Sequence, residues 1–246
     1  PPPRRFNRPA ADPGRIPVRS DPCTEIAMRI LAVALFIALG LTTASATAAP
    51  SNAGRTEFEV LRNGQPFGRH AISVSGSGDA LRAQSEVALR VNFGPVTAFH
   101  YEQTCDERWR GGALVALTCS TLKNGRRVNV QAEAVEGRLR VDGAGGDQWF
   151  PLGAFPSSWW TRPPADADSL INTETGERMA VRITRMGRET ILVGGERISA
   201  ERIRVEGTLA VDLWYDDRGR WVGCAFSVRG QNVVYRLASP RSAGPA

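Results

Sequence analysis

The stretch ALVALTCSTLKNGRRVNVQAEAV, residues 113–135, decides the fold. Two runs of alternating residues, 113–123 and 126–135, flank the dipeptide Asn124-Gly125. Alternation with a period of two is typical of a strand that buries one face. Asn-Gly between two such runs is a strong hairpin signal, because both central positions of a type I′ turn need positive φ. This stretch therefore predicts an antiparallel hairpin.

The same pattern continues on both sides of this hairpin. Turn residues, chiefly Gly, Asn and Asp, separate one short run from the next, which favours a meander over a βαβ fold. The further strands are predicted at residues 56–61, 67–75, 80–91, 96–109, 138–142, 178–185, 189–193, 197–206, 209–215, 220–229 and 232–237. Because exposed sheet edges promote aggregation, we expect this all-β, antiparallel meander to curl into a barrel or half-barrel. The interior of a barrel with eight or more strands can hold a small ligand.

The meander is interrupted by WFPLGAFPSSWWTRPPADAD, residues 149–168. Its four prolines remove backbone donors, so it cannot form a central strand. We expect a Pro-rich crossover with one short helical turn near residues 157–160. Trp159 and Trp160 either close one end of the barrel or line an entrance for an amphiphilic ligand.

The N-terminal region predicts export. Residues 28–48, MRILAVALFIALGLTTASATA, combine Arg29, a twelve-residue apolar run and small residues suited to cleavage after Ala46 or Ala48. The apolar run is too short to span a membrane. We therefore expect a signal peptide, a periplasmic or secreted protein, and no stable membrane anchor after cleavage.

The remaining boundaries follow from composition. Residues 1–27 are rich in Pro and Arg and are expected to be an upstream non-native or disordered segment. Residues 49–55 read as a linker, 56–238 as a single β domain, and 239–246 as a disordered tail.

Composition excludes several classes of protein. Hydrophobic residues make up 42% and charged residues 23% of the 246 residues, which excludes collagen-like, coiled-coil and wholly disordered chains. The net charge is +6, but arginines alternate with acids along the strands, which argues against a nucleic-acid partner. With two histidines and no zinc-ligand or phosphate-loop spacing, we expect no metal site and no cofactor.

The cysteines suggest one disulfide. Cys105 and Cys119 lie on the two arms of a predicted hairpin around residues 110–112, and a loop of three or five residues would place them opposite each other. Export would bring them into an oxidising compartment. The sequence leaves open whether they are bonded. Cys224 alternates with apolar residues and is expected to be a buried thiol.

Two polar turns are candidate site elements. In LWYDDRGRWV, residues 213–222, pairing of Tyr215 with Arg220 would place Trp214 opposite Trp221, unless a bulge shifts the register. The adjacent carboxylates of Asp216-Asp217 fit a turn better than a catalytic pair, because their side chains diverge. NTETGE, residues 172–177, is either a capped turn or a polar loop at a cavity mouth.

Neither histidine stands in a recognisable catalytic pattern. His70 and His100 fall on predicted strands, and no Gly-x-Ser-x-Gly elbow is present. Cys105 follows His100 by five residues, which places their side chains on opposite faces of a regular strand. We therefore assign no catalytic residue.

Three motifs in this order resemble a known family. FEVLRNGQPFGRHAISV (residues 58–74), NTETGE and LWYDDRGRWV are similar to a family of exported bacterial proteins that is catalogued as a domain of unknown function. The resemblance covers about residues 56–237. It implies an exported, mostly antiparallel β protein, and it implies no activity.

These observations favour a non-enzymatic exported protein that binds an amphiphilic small molecule, such as a lipid, or an envelope component in an apolar cavity. The candidate ligand-binding residues are Trp159, Trp160, Asn172, Glu174, Trp214 and Trp221. One alternative is a structural or assembly module that binds another envelope protein through a sheet edge. A hydrolase that uses one of the histidines is a weaker alternative.

Overall fold

The computed structural model describes residues 54–208 and 210–238. Within these residues the chain forms sixteen β-strands and no helix. The strands are β1 Gly54–Arg62, β2 Gln65–Ser77, β3 Ala80–Phe93, β4 Val96–Arg110, β5 Ala113–Lys123, β6 Arg126–Val135, β7 Arg138–Asp142, β8 Gln148–Pro151, β9 Phe155–Pro156, β10 Ser169–Ile171, β11 Arg178–Ala180, β12 Arg182–Val193, β13 Glu196–Glu206, β14 Val211–Tyr215, β15 Trp221–Val228 and β16 Gln231–Leu237.

Thirteen of these strands form one sheet in the order β12-β13-β14-β15-β16-β1-β2-β3-β4-β5-β6-β7-β8. All neighbours in this sheet are antiparallel, as in the pairing of β1 with β16 and of β4 with β5. The all-β, antiparallel fold predicted from the sequence is thereby confirmed. The sheet is not closed, because β12 and β8 remain as its two edges.

One face of the sheet carries a single core. Buried side chains from strands near both edges, such as Ile203 on β13 and Leu139 on β7, belong to the same cluster. The sheet therefore curls around these residues, and we call the face that carries them the inner face. Successive residues of a strand point to opposite faces, so the alternation seen in the sequence assigns most side chains to one face or the other.

The hairpin turns follow from local chemistry. Asn63 and Asn124 have φ of 49° and 50°, and the glycines that follow them have φ of 79° and 84°. These values are the left-handed conformations that a two-residue type I′ turn requires. The two Asn-Gly signals thus correspond to the tight turns β1–β2 and β5–β6.

A long connection joins the two edges of the sheet. We call residues 152–181, which link β8 to β12, the strap. Within it, β9 pairs in parallel with β10, and β10 pairs with β11 antiparallel. The helical turn predicted at residues 157–160 is wrong, because the Ser157 N–H donates instead to the Ile171 carbonyl and joins this small sheet (3.0 Å).

Two strand boundaries also differ from the prediction. Met186-Gly187 is not a turn between two strands, because β12 continues through it as a bulge. Arg185 pairs with Ile203 and Gly187 with Arg202, so Met186 is the extra residue. Gly54 already belongs to β1, so the last two residues of the predicted linker are part of the sheet.

The predicted upstream segment 1–27, signal peptide 28–48 and tail 239–246 lie outside the described residues. Across residues 54–208 and 210–238, no helix has the length and apolar character needed to cross a membrane.

Candidate functional site

The strap fills one end of the inner face with aromatic rings. Trp160 is buried and lies edge-on to Trp109 of β4, with ring centroids 5.6 Å apart. Phe155 lies edge-on to Trp109 from another side at 5.1 Å. Edge-to-face pairs at these distances are favourable arrangements for aromatic rings. Trp160, and Trp159 packed beside the core, therefore close this end of the half-barrel.

A buried carboxyl group ties the strap to the sheet. Glu107 of β4 is 1% exposed, and its Oε2 accepts hydrogen bonds from Trp109 Nε1 and Trp160 Nε1, both at 2.8 Å. Burial raises the pKa of Glu107, and the two indole donors oppose that shift. One acceptor thus joins β4 and the strap in the core.

Two further polar contacts hold the strap. The Tyr215 hydroxyl donates to the Trp159 carbonyl at 2.9 Å. Gln103 Nε2 donates to the Thr173 carbonyl at 3.2 Å and is itself buried. Since each contact uses a strap backbone carbonyl, these anchors fix the path of the strap rather than one side chain.

An aromatic cluster lies farther along the inner face. His70 of β2 is surrounded by Phe58, Trp221 and Tyr235, with ring centroids at 6.3, 5.5 and 5.8 Å. We call these four residues the aromatic cage. Phe58 and Trp221 also pack on each other, with centroids 4.3 Å apart.

His70 is the unusual member of the cage. It is 7% exposed, and among the described residues neither ring nitrogen has a hydrogen-bond partner. Desolvation lowers the pKa of His70 from 6.5 to about 4, so the ring is neutral at physiological pH. Leaving a buried donor or acceptor unpaired costs about 1–3 kcal/mol. The sequence indicated that His70 lies on a strand, but no local signal revealed this environment.

Beyond the cage the inner face becomes accessible. Phe226, Tyr235 and Leu237 pack against the core but remain partly exposed. Tyr101, also partly exposed, lies under the Lys123 ammonium at 5.9 Å from its ring centroid. We call Tyr101, Phe226, Tyr235 and Leu237 the aromatic rim. It offers apolar surface beside charged groups, as the contact between Lys123 and Glu174 at 2.8 Å indicates.

The polar loop 172–177 is a capped turn, and its Glu174 side chain lies near the rim. Asn172 Oδ1 accepts a hydrogen bond from the Glu174 backbone N–H at 2.8 Å. This interaction stabilises the turn and directs Glu174 toward Lys123. Asn172 thus stabilises the turn. Of the two candidate ligand-binding residues in this loop, Glu174 is the one near the accessible inner surface.

Trp214 and Trp221 do not face each other, contrary to the expected hairpin register. Tyr215 pairs with Trp221 and Trp214 with Gly223, because the hairpin contains a bulge. Trp221 therefore points to the inner face and joins the cage. Trp214 lies on the outer face, where its Nε1 donates to Glu189 Oε1 at 2.5 Å.

The Asp216-Asp217 pair behaves as a turn. Asp216 accepts hydrogen bonds from the backbone N–H groups of Arg218 and Arg220 at 3.0 and 2.9 Å. Asp217 instead contacts Arg188 of β12. The two carboxylates are engaged by different partners, so they do not form a paired acid–base site.

Cys105 and Cys119 are joined by a disulfide across β4 and β5. Their register arises from the two-residue turn Gly111-Gly112 together with a bulge near Trp109, rather than from a loop of three or five residues. A cross-link over this separation stabilises a fold by about 3 kcal/mol in the chain-entropy model. Cys224 is a buried free thiol, and burial raises its pKa.

His100 has a different setting from His70. It lies on the outer face, where Nε2 contacts Glu102 Oε1 at 2.8 Å and Arg90 at 3.3 Å. Among the hydrogen bonds of the described residues, neither histidine side chain contacts a Ser, Thr or Cys side chain. No group of three or more His, Cys, Asp or Glu side chains suited to a metal ion occurs in residues 54–208 and 210–238.

A groove adjoins one residue of the rim, Leu237. This groove of about 790 Å³ lies between the β12–β13 turn and strands β1, β2 and β16, and its lining includes the charged residues Glu59, Arg69 and Arg236 as well as Leu237 of the rim. Glu59 and Arg236 form an exposed ion pair at 3.8 Å. Exposed ion pairs of this kind stay hydrated and contribute little to stability. The aromatic rim is therefore the better candidate surface for an amphiphile.

Comparisons with known proteins agree with the fold. A search of curated proteins finds no match. The chain is similar in structure to a β-barrel-like protein of domain of unknown function DUF1849 from Brucella abortus, with a TM-score of 0.54 and 9% sequence identity over 75% of this chain and 95% of that one. At this identity the likeness concerns the fold alone. The family model of DUF6134, a domain of unknown function, matches residues 58–238. The chain therefore belongs to the DUF6134 family.

Proposed function

We propose that this protein is an exported, non-enzymatic binding protein that holds an amphiphilic small molecule against the inner face of its half-barrel. The observation that carries this proposal is the aromatic rim. Its inward-facing side chains stay partly exposed although they adjoin the core. Aromatic and apolar side chains that stay partly exposed beside a core are typical of surfaces that bind small molecules.

The two ends of the inner face would have different roles. The strap fills one end with Trp160 and Phe155, which leaves no comparable aromatic surface for a ligand there. At the other end the rim supplies apolar contact, while Lys123 and Glu174 supply polar contact. An amphiphile would place its chain on the rim.

Protein purified from its own periplasm tests the proposal most directly. Native mass spectrometry should detect a bound lipid or another amphiphile of constant mass. A solvatochromic fatty-chain probe, added to delipidated protein, should bind and gain fluorescence. Failure to bind this probe, together with the absence of any co-purifying small molecule, would refute the proposal.

A pair of variants on one strand localises the site. Leu237→Glu introduces a charge on the inner rim, and Val234→Glu introduces the same charge on the outer face of β16, where Val234 is 42% exposed. Leu237→Glu should weaken probe binding at least tenfold, because a carboxylate must be desolvated beside the chain. Val234→Glu should leave it unchanged. Equal effects of both substitutions would place the probe elsewhere.

Binding of another envelope protein through a sheet edge is the second candidate. In the part of the chain that the structure describes, strand β12 has one neighbour in the sheet, so its other edge is free there. However, this strand carries Arg182, Arg185 and Arg188 and is interrupted by a bulge. Both features oppose the addition of a further strand. A polypeptide that co-purifies in constant ratio would support this candidate over the first.

The hydrolase alternative has a simple test. If an activity is found, a variant that replaces both His70 and His100 should abolish it under this alternative. An unchanged rate would exclude both histidines from catalysis.

A further inference from the structure

The cage leaves one polar group unexplained. His70 is paired in register with Phe58 on β1 and with Val87 on β3, so it occupies an inner position between apolar neighbours. Both of its ring nitrogens are buried, and neither has a hydrogen-bond partner within residues 54–208 and 210–238. Buried polar groups in folded proteins are nearly always paired, and each exception requires an explanation.

Packing alone does not explain this histidine. A phenylalanine would fill a similar volume without an unpaired donor and acceptor. The rings of Trp221 and Tyr235 form T-shaped pairs with the imidazole, at interplanar angles of 67° and 79°. An N–H group directed at a ring face could be weakly satisfied in this arrangement. The acceptor nitrogen would still have no partner.

Tyr235 is the cage residue that also belongs to the rim. Phe58 and Trp221 are buried, whereas Tyr235 is partly exposed. A ligand that lies on the rim and displaces the Tyr235 ring would therefore reach the imidazole. Neither buried ring has to leave the core for this contact.

We infer that His70 is the specificity-determining residue of the proposed ligand site, and that it hydrogen-bonds the uncharged hydroxyl group of a long-chain alcohol or of a monoacylglycerol. A neutral imidazole offers one donor and one acceptor, and a hydroxyl group complements both. The rings that surround His70 are aromatic, so a carboxylate placed there would lose its hydration without gaining a counter-ion. This inference rests on the proposed function, because it names the ligand class of the same site.

The test compares three probes of equal chain length: decane, decanol and decanoate. Their dissociation constants are measured by the fluorescence of the tryptophans, since Trp221 lies 5.5 Å from His70. The wild-type protein should bind decanol at least tenfold more tightly than decane or decanoate. His70→Phe should bind decanol and decane equally well. His100→Phe, which changes the outer histidine, should retain the wild-type preference.

The outcomes separate the two proposals. If wild-type protein and His70→Phe bind decanol equally, the inference is overturned while the proposed function stands. If neither these probes nor the solvatochromic fatty-chain probe binds the wild-type protein, and no small molecule co-purifies, the proposed function fails and the inference fails with it.

A second measurement does not depend on the variant folding. In ¹⁵N-labelled wild-type protein, saturating decanol should shift the imidazole nitrogen resonances of His70 and leave those of His100 in place. Decane should not produce the same shift. Unshifted His70 nitrogens in the decanol complex would overturn the inference.

Discussion

At the scale of single residues, His70 shows that the surroundings of a side chain can determine its protonation more than the residue type does. Its ring nitrogens are unpaired because the surrounding side chains come from β1, β15 and β16, and all three are aromatic. In such surroundings the neutral ring is strongly preferred, and its pKa falls to about 4. The same histidine in the unfolded chain titrates near 6.5.

This difference predicts a pH dependence of stability. Above pH 6.5 the ring is neutral in both states, and stability is unaffected. Between pH 6.5 and 4 the unfolded chain binds a proton that the folded protein excludes, so stability falls as the pH falls. The free energy of unfolding of the wild-type protein should drop by about 3 kcal/mol more than that of His70→Phe between pH 7 and pH 4.

Urea denaturation at several pH values checks this expectation. Other titrating groups contribute equally to both proteins, so the difference between the two curves isolates His70. Parallel curves for the wild type and His70→Phe would show that the ring is accessible to protons in the folded state.

The structural role of a residue was predictable from the sequence where a local rule applies. It was not predictable where contacts with distant elements determine the role. The roles of Asp216 and Asn172 as turn residues follow from their immediate neighbours. By contrast, the burial of His70 depends on Trp221, 151 positions along the chain, and on a bulge that turns Trp221 inward. No pattern within one strand carries that information.

At the scale of elements, the strap differs from the strands that it connects. Hairpins form from local turn chemistry, and most strand boundaries were therefore predictable. The strap has no series of alternating runs separated by turn residues, and its path depends on contacts with the sheet that the sequence does not reveal. Its two-residue strand β9 and the contact of Trp160 with Glu107 are examples.

Glu107 should anchor the strap through acceptance of hydrogen bonds, not through its charge. In Glu107→Gln the amide oxygen can still accept from both indoles, and the amide N–H lies near the unpaired Ser158 hydroxyl. Burial raises the pKa of Glu107 above its ordinary value of 4.5. The protonated side chain therefore stabilises the folded protein at low pH, and this stabilisation is lost as the pH rises through the pKa that Glu107 has in the folded protein. Glu107→Gln should therefore equal or exceed the wild type in stability at pH 7.

Glu107→Leu should behave differently. It leaves the indole N–H groups of Trp109 and Trp160 buried without an acceptor, which should cost about 2–4 kcal/mol. Limited proteolysis should then cleave the strap sooner than in the wild type. Glu102→Leu, on the outer face of the same strand, is the control and should change the free energy of unfolding only slightly. Equal loss in the Gln and Leu variants would mean that the charge itself is required.

At the scale of the whole molecule, the open sheet leaves two edges to be protected. The edge at β8 is four residues long, whereas β12 extends over twelve residues with one side unpaired. A long, flat and apolar edge promotes association between copies of a protein. In β12 the bulge at Met186 bends the strand, and its arginines place charge along it.

Removing that protection should cause self-association. The double substitution Arg182→Val and Arg188→Val raises the β-propensity of the free edge and removes two charges, so strands from two copies can pair. Light scattering should detect dimers or larger assemblies whose fraction increases with protein concentration. The matched control is Arg69→Val, which removes an exposed arginine from β2, a strand that is paired on both sides. If the control associates as readily as the double variant, surface charge in general, and not the free edge of β12, limits self-association.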